Sequence, residues 1–181
     1  MSKKIHLIGN GHSNQYYTPQ KGVVYGFNMP SYTHKIDYLC MIDTAAVRTY
    51  DKYKKTPQGP VYCTRPCRET AEKLNIQGEW IEAIGTLERR MNSAHALVRY
   101  LFETDKPNCI HLWGFDSLYS QDLTSQMDTW FPRPARPPLN QQWHPHWQKF
   151  FDADPSIEWI IHIPKGENCL VQAPNLKEYK H

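Results

Sequence analysis

The chain has 181 residues and a mass of 21.3 kDa, a length that can bury a substantial core, and we expect residues 1–181 to form a single domain. Its formal net charge of +3 is too small to indicate nucleic-acid binding. No apolar stretch approaches the length of a membrane span and no signal peptide precedes the first predicted strand, so we expect a cytoplasmic protein. The five cysteines contain no CxxC pair, which favours reduced thiols.

The first dozen residues predict a buried strand that runs into a glycine-rich loop. The apolar run over residues 5–8 is followed directly by Gly9, Asn10 and Gly11. Glycine has no Cβ, so the backbone can turn sharply there and approach a ligand. In open α/β sheets this loop is where nucleotides bind, and we expect Asn10, Ser13 and backbone N–H groups to face a phosphate. The alternative is that Asn-Gly is simply turn chemistry.

Strands and helices alternate along the rest of the chain. Further strands are predicted over residues 22–28, 37–43, 61–64, 109–113 and, as the last strand, 157–163. Helices are predicted over residues 44–53, 66–74, 94–102 and 144–151. Residues 80–87 are ambiguous between strand and loop, and the tail from Lys165 is expected to be partly loose. This alternation predicts an α/β fold with one open, Rossmann-like, mostly parallel sheet covered by helices.

A proline-rich segment lies between the last predicted helix and the strand before it. Its four prolines exclude a helix or an interior strand over residues 130–138. Its aromatic residues and two arginines favour an ordered flap, about residues 117–146, over a flexible linker. Arg133 and Arg136 are candidates to close over phosphates, because a guanidinium binds them bidentately. The alternative is that both are solvated charges in a loop.

Four segments, in this order, resemble the bacterial lipooligosaccharide sialyltransferases, which transfer sialic acid from CMP-sialic acid. The segments are Gly9-Asn10-Gly11-x-Ser13, Phe27-Asn28-x-x-Ser31-Tyr32, Asn92-Ser93-Ala94 and Ile110-His111-Leu112-Trp113-Gly114-Phe115-Asp116. His144 or His146 falls where that family keeps its catalytic histidine. His12 replaces the proline of the family's first loop, and Tyr119 is the one candidate for its paired flap tyrosines. The motility-accessory-factor glycosyltransferases and the archaeal-type hydroxymethylpterin diphosphokinases carry similar first loops on the same scaffold.

The resemblance implies roles for individual residues. Asn10 and Asn28 would contact the phosphate and the sugar–base portion of a nucleotide donor. Ser93 would touch the donor from a helix N-terminus, where the helix dipole favours an anion independently of any family; the alternative is a plain helix cap. Tyr119 would donate to the leaving phosphate or merely pack. Asp116 would orient a sugar hydroxyl or cap the next turn.

The resemblance implies a glycosyltransferase-like enzyme that uses a nucleotide-activated sugar, possibly CMP-linked, without a metal or a further cofactor. Histidine suits the role of general base, because its pKa lies near neutrality, and His144 and His146 are both candidates. A metal site at these two histidines is disfavoured because no third ligand has suitable spacing. The sequence leaves the acceptor, the oligomeric state and the identity of the donor open.

Two alternative functions remain open from the sequence. A hydroxymethylpterin diphosphokinase-like enzyme would need carboxylates for Mg²⁺, for which Asp43 and Asp116 are the candidates. A catalytically silent protein that binds a nucleotide or nucleotide-sugar is favoured by the tyrosine-free flap. The expected partner is in each case a small nucleotide ligand.

Overall fold

The computed structural model describes residues 3–29, 31–120, 126–130 and 139–181. The strands are β1 (Lys4–Ile8), β2 (Val23–Phe27), β3 (Tyr38–Met41), β4 (Val61–Cys63), β5 (Trp80–Glu82), β6 (Cys109–Trp113), β7 (Glu158–Ile163) and β8 (Leu176–Lys180). The helices are α1 (Thr44–Lys52), α2 (Arg65–Lys73), α3 (Ser93–Thr104), α4 (Met127–Trp130) and α5 (Leu139–Ala153), with 3₁₀ helices over His12–Tyr16 and Asp116–Leu118.

The eight strands form one parallel sheet in the order β5-β4-β3-β2-β1-β6-β7-β8. The predicted open, parallel α/β sheet is therefore confirmed. From β1 the chain builds outward to β5, then returns to place β6 on the free side of β1. This reversal makes the carboxyl ends of β1 and β6 a topological switch point, the position where open α/β sheets bind ligands.

Helices cover both faces of the sheet because successive strand residues point to opposite sides. Leu7 of β1 faces the layer that contains Leu97 of α3 and Trp147 of α5, and all three are fully buried. Ile8 faces the other layer, where Val47 of α1 packs. The five cysteines are buried free thiols. Among the described helices, none is long and apolar enough to cross a membrane.

The end of the chain differs from the sequence prediction. The tail from Lys165, expected to be partly loose, contains β8, which pairs in parallel with β7 from Trp159↔Leu176 onward. The strand over residues 157–163 is therefore not the last one. An edge strand made largely of charged residues lacks the apolar run by which buried strands are recognised.

The predicted flap, about residues 117–146, also contains more regular structure than expected. Helix α4 lies within it, and α5 begins at Leu139 rather than at His144, with Pro145 inside the helix. The predicted helix began at His144, whereas α5 begins five residues earlier and contains Pro145 at an exposed position. The central part of the flap, residues 131–138 with Arg133 and Arg136, lies outside the described residues.

Replacing Leu97 by alanine tests the packing of α3. Leu97 is fully buried in the layer between α3 and the sheet, so we expect Leu97→Ala to lower the free energy of unfolding by about 2–5 kcal/mol. Glu103→Ala, at an exposed position of the same helix, is the matched control and should change little. Urea unfolding measures both variants. A loss near zero for Leu97→Ala would mean that α3 packs only peripherally.

Candidate functional site

The loops that follow β1 and β6 interlock at the switch point. The Gly9 N–H donates to the Trp113 carbonyl at 2.6 Å, and the Gly11 N–H donates to the Gly114 carbonyl at 2.9 Å. A Cβ on Gly9 would lie 2.4 Å from the Gly114 oxygen, so only glycine permits this approach. The two predicted loop glycines therefore bring the β1 loop against the β6 loop.

Ser13 and Asp116 bond to each other across this interlock. The Ser13 hydroxyl donates to the Asp116 carboxylate at 2.5 Å, and it accepts from the Gly114 N–H at 3.2 Å. Burial raises the pKa of the nearby Tyr119 hydroxyl, a hydrogen bond with Ser13 opposes that rise, and the charge of Asp116 adds to it. Tyr119 is only 8% exposed. These three side chains hold the loops together from within.

Asn28 and Ser93, which are far apart in the sequence, meet at the N-terminus of α3. The Ser93 hydroxyl donates to the Asn28 Oδ1 at 3.1 Å. Asn28 has a φ of +64°, a left-handed conformation that asparagine tolerates better than most residues. Because the amide oxygen accepts this bond, the Asn28 Nδ2 group remains as a donor. It forms no hydrogen bond with the described residues.

The first turn of α3 adds backbone donors to the Asn28–Ser93 pair. Asn92 caps the helix: its side chain accepts from the His95 N–H at 3.0 Å, while the His95 Nδ1 accepts from the Asn92 N–H at 3.3 Å. The N–H groups of Ser93 and Ala94 lie between the two residues of this capping box. As at other helix starts, they have no intrahelical acceptor, and none of the described residues bonds to them. Ser93 is therefore the first residue of α3 rather than its cap.

Asn10 is joined to the end of β2 by Tyr32. The Tyr32 hydroxyl lies 3.2 Å from the Asn10 Oδ1 and also contacts the N–H and carbonyl of Phe27. Phe27 directly precedes Asn28, so Tyr32 connects the β1 loop to the Asn28–Ser93 pair. Tyr32 belongs to one of the segments that carry the family resemblance, but the sequence assigned it no role. Its hydroxyl contacts Asn10, which lies 22 positions earlier in the chain, and no local sequence pattern predicts such a contact.

Gln126 is a second residue that the sequence analysis missed. Its backbone N–H donates to the Asn10 carbonyl at 2.8 Å. Its side-chain amide pairs with that of Asn14 in both directions, at 3.1 and 2.8 Å. Four residues on, the Trp130 carbonyl accepts from the Tyr53 hydroxyl at 2.8 Å. The segment that contains α4 is thus fixed to the β1 loop at one end and to α1 at the other.

The two candidate histidines of α5 contact different loops. The His144 Nε2 lies 2.6 Å from the carbonyl of Ser117, the residue after Asp116. The His146 Nε2 lies 3.2 Å from the Arg89 carbonyl, and its ring packs on His95 with centroids 5.0 Å apart. His144 also borders an open surface pocket of about 550 Å³, lined by His144, Pro145, Gln148, Leu170, Val171 and Gln172.

The acidic residues in the described ranges do not cluster as a metal site would require. Asp43 follows β3 and Asp116 follows β6, so β2 and β1 separate them in the sheet. The described part of the chain contains no group of three or more histidine, cysteine, aspartate or glutamate side chains that could hold a metal ion. His12 is exposed at the start of its 3₁₀ helix.

Comparison with protein-family models, curated proteins and solved structures finds no match to this chain in any of the three. The fold and the site define an open parallel α/β protein with interlocked polar loops at its switch point. On the side of β2, the described part of that site presents mainly hydrogen-bond donors: the amide nitrogens of Asn10 and Asn28 and the first N–H groups of α3. A surface of this kind is complementary to an anion.

Proposed function

We propose that this chain binds a nucleotide-activated sugar, CMP-linked, at the carboxyl ends of β1, β2 and β6, and transfers the sugar without a metal ion. The observation that carries the proposal is the orientation of two asparagine amides. Asn10 and Asn28 each face a hydroxyl with the amide oxygen, which leaves the N–H₂ group of Asn28 beside the start of α3 and that of Asn10 near the end of β2. Donors in such an arrangement suit the oxygens of a phosphate.

The same donors support a leaving-group role. When a sugar leaves a nucleotide, negative charge develops on the phosphate, and preorganised N–H groups stabilise that charge. The dipole of the twelve-residue helix α3 acts in the same direction. His144 supplies a base near the β6 loop, since its ring nitrogen lies 2.6 Å from the Ser117 carbonyl.

A silent nucleotide binder is the second candidate, because Tyr119 is unsuited to catalysis by proton donation. Tyr119 is 8% exposed and its hydroxyl bonds to Ser13 and Asp116. Its role is therefore to hold the loops together and not to donate a proton to a leaving phosphate. The diphosphokinase alternative is less well supported, because Asp116 already accepts two bonds from Ser13 and is separated from Asp43 by the two strands β2 and β1.

Binding of CMP, CMP-sialic acid and cytidine, each with and without Mg²⁺, tests the proposal. We expect the two phosphate-bearing ligands to bind without Mg²⁺. Asn28→Ala should weaken CMP binding about 10–100-fold, the effect of losing a hydrogen bond to a charged group. Isothermal titration calorimetry measures the affinity, and a sugar-release assay with CMP-sialic acid measures turnover.

Gln77→Ala is the control for this experiment, because Gln77 is exposed in the turn before β5 at the opposite edge of the sheet. It should bind CMP as the unmodified protein does. Equal affinity of the Asn28→Ala variant and the unmodified protein for CMP would remove Asn28 from the site. Tight CMP-sialic acid binding without any sugar release would favour the silent binder.

A further inference from the structure

Tyr32 is built into the sheet beside the candidate site. Its side chain is 7% exposed, and its ring lies over Gly26 of β2. A Cβ on Gly26 would come within 2.9 Å of the Tyr32 Cζ, closer than real Cβ contacts, so the strand needs a glycine to admit the ring. This placement brings the phenolic oxygen to the end of β2.

The hydrogen-bonding capacity of Tyr32 determines how it meets Asn10. The Phe27 N–H donates to the phenolic oxygen at 2.5 Å. A phenol oxygen that already accepts so short a bond has chiefly its own proton left to share. That proton faces the Phe27 carbonyl at 2.7 Å, which already accepts from the Met29 N–H, and the Asn10 Oδ1 at 3.2 Å.

This arrangement favours one of the two orientations of the Asn10 amide. If the amide were turned around, its Nδ2 would point an N–H at an oxygen that already accepts from the Phe27 N–H, beside the phenolic proton. With Oδ1 toward Tyr32, the amide accepts and its N–H₂ group is left for another partner. The Asn10 carbonyl is separately held by the Gln126 N–H, so the backbone cannot turn to compensate.

We propose that Tyr32 is a positioning residue, which orients the Asn10 amide so that its N–H₂ group is available to a ligand. The β1 loop then binds a phosphoryl or carboxylate oxygen in preference to a ligand group that is itself a hydrogen-bond donor. The part of this inference that concerns the ligand rests on the proposed function; the orientation of the amide does not. An amide oxygen in the same place would repel an anion, so the orientation of a single side chain decides which part of a ligand the β1 loop accepts.

Nuclear magnetic resonance of the ¹⁵N-labelled protein without ligand tests the orientation itself. In Tyr32→Phe the two side-chain N–H₂ resonances of Asn10 should shift or broaden, because nothing then holds the amide oxygen. The side-chain resonances of Asn28, bonded to Ser93, should stay in place. Tyr50→Phe is the control, since its buried hydroxyl bonds to the Met29 carbonyl instead. Unchanged Asn10 resonances in a folded Tyr32→Phe variant would overturn the inference.

Titration with CMP and with cytidine tests the consequence for binding. The dissociation constant of cytidine divided by that of CMP reports the contribution of the phosphate. Tyr32→Phe should reduce this ratio about 10-fold. In the double variant with Asn10→Ala, Tyr32→Phe should cause no further reduction of the ratio, because the effects of coupled residues are not additive. Equal weakening of both ligands, with additive effects in the double variant, would mean that Tyr32 acts only on the fold.

Asn10→Asp keeps Tyr32 in place and is the second variant if Tyr32→Phe does not fold. A carboxylate still accepts from the Tyr32 hydroxyl but offers no donor to the ligand, so CMP affinity should fall at least about 100-fold while cytidine affinity changes little. Equal CMP affinity in Asn10→Asp and the unmodified protein would overturn the inference. If neither CMP nor cytidine binds the unmodified protein, the proposed function fails, and the nuclear magnetic resonance result alone decides the orientation.

Discussion

Acidification from pH 7 to pH 5 is expected to destabilise the fold well before its carboxylates protonate, because several histidines are buried. His95 and His6 are fully buried, and His162 and His111 are 4% and 6% exposed. Burial, with a smaller contribution from the charge of His146, lowers the pKa of His95 to about 3. Burial is also the main cause that lowers the pKa of His162 to about 3 and that of His111 to about 4.

The direction of the pH effect follows from which state binds more protons. In the unfolded chain His95, His162 and His111 protonate below about pH 6.5, whereas in the folded protein these three stay neutral down to about pH 3–4. The unfolded state therefore gains protons that the folded state does not, and stability falls as the pH drops below 6.5. His95 alone is expected to remove about 2 kcal/mol between pH 7 and pH 5.

His95→Asn isolates this contribution. Asparagine keeps an acceptor for the Asn92 N–H, which His95 Nδ1 accepts at 3.3 Å, but it has no proton to gain. The free energy of unfolding, measured by urea at pH 7, 6 and 5, should fall about 2 kcal/mol less in this variant than in the unmodified protein. His12→Asn, at an exposed position, should keep the pH dependence of the unmodified protein. An unchanged pH dependence in His95→Asn would contradict the prediction.

The other buried histidines form a row across one face of the sheet. The His111 Nδ1 lies 3.0 Å from the His162 Nε2, and the His162 Nδ1 lies 3.0 Å from the His181 Nε2. Each contact needs one N–H and one bare nitrogen, so protonation of both rings of a contact leaves two N–H groups facing each other. Acid should therefore weaken the contact between His162 and His181 beside β8, in addition to its effect at His95.

The sequence predicted the sheet well because its inner strands are short apolar runs that end at polar residues or glycine. It gave no signal for the contacts of the buried histidines. His6 and His111 lie in β1 and β6, and their rings are buried against each other, with His111 stacked on Trp113. Strand β8 was missed because its largely charged residues lie at an exposed edge.

The site could be predicted only as separate pieces. The glycine loop, Asn28 and Ser93 each carry a local signal of turn or helix start, but the bonds that join them connect distant residues. Ser13 meets Asp116 across 103 positions, and Asn14 meets Gln126 across 112. Such pairings depend on the strand order of the sheet, in which β6 lies beside β1, and no periodicity in the sequence specifies that order.

Removing the base should reduce sugar transfer by about 10²–10⁴-fold while leaving donor binding nearly unchanged. We propose His144 as that base because it borders the open pocket and lies beside the β6 loop. A ring nitrogen 2.6 Å from the Ser117 carbonyl must carry the hydrogen, since a carbonyl oxygen only accepts. The Nε2 of His144 is therefore the N–H, and its Nδ1 holds the lone pair that would take a proton from the acceptor hydroxyl.

Replacing His144 by glutamine distinguishes its role as a base from its role in bonding to the Ser117 carbonyl. His144→Gln can keep an N–H on the Ser117 carbonyl but has no basic nitrogen, whereas His144→Ala loses both. If His144 is the base, the two variants should lose transfer to the same extent. His146→Gln, which retains an N–H for the Arg89 carbonyl, is the matched control and should transfer at nearly the rate of the unmodified protein. Transfer restored in His144→Gln would show that the side chain only holds the β6 loop, and loss confined to His146→Gln would move the base to His146.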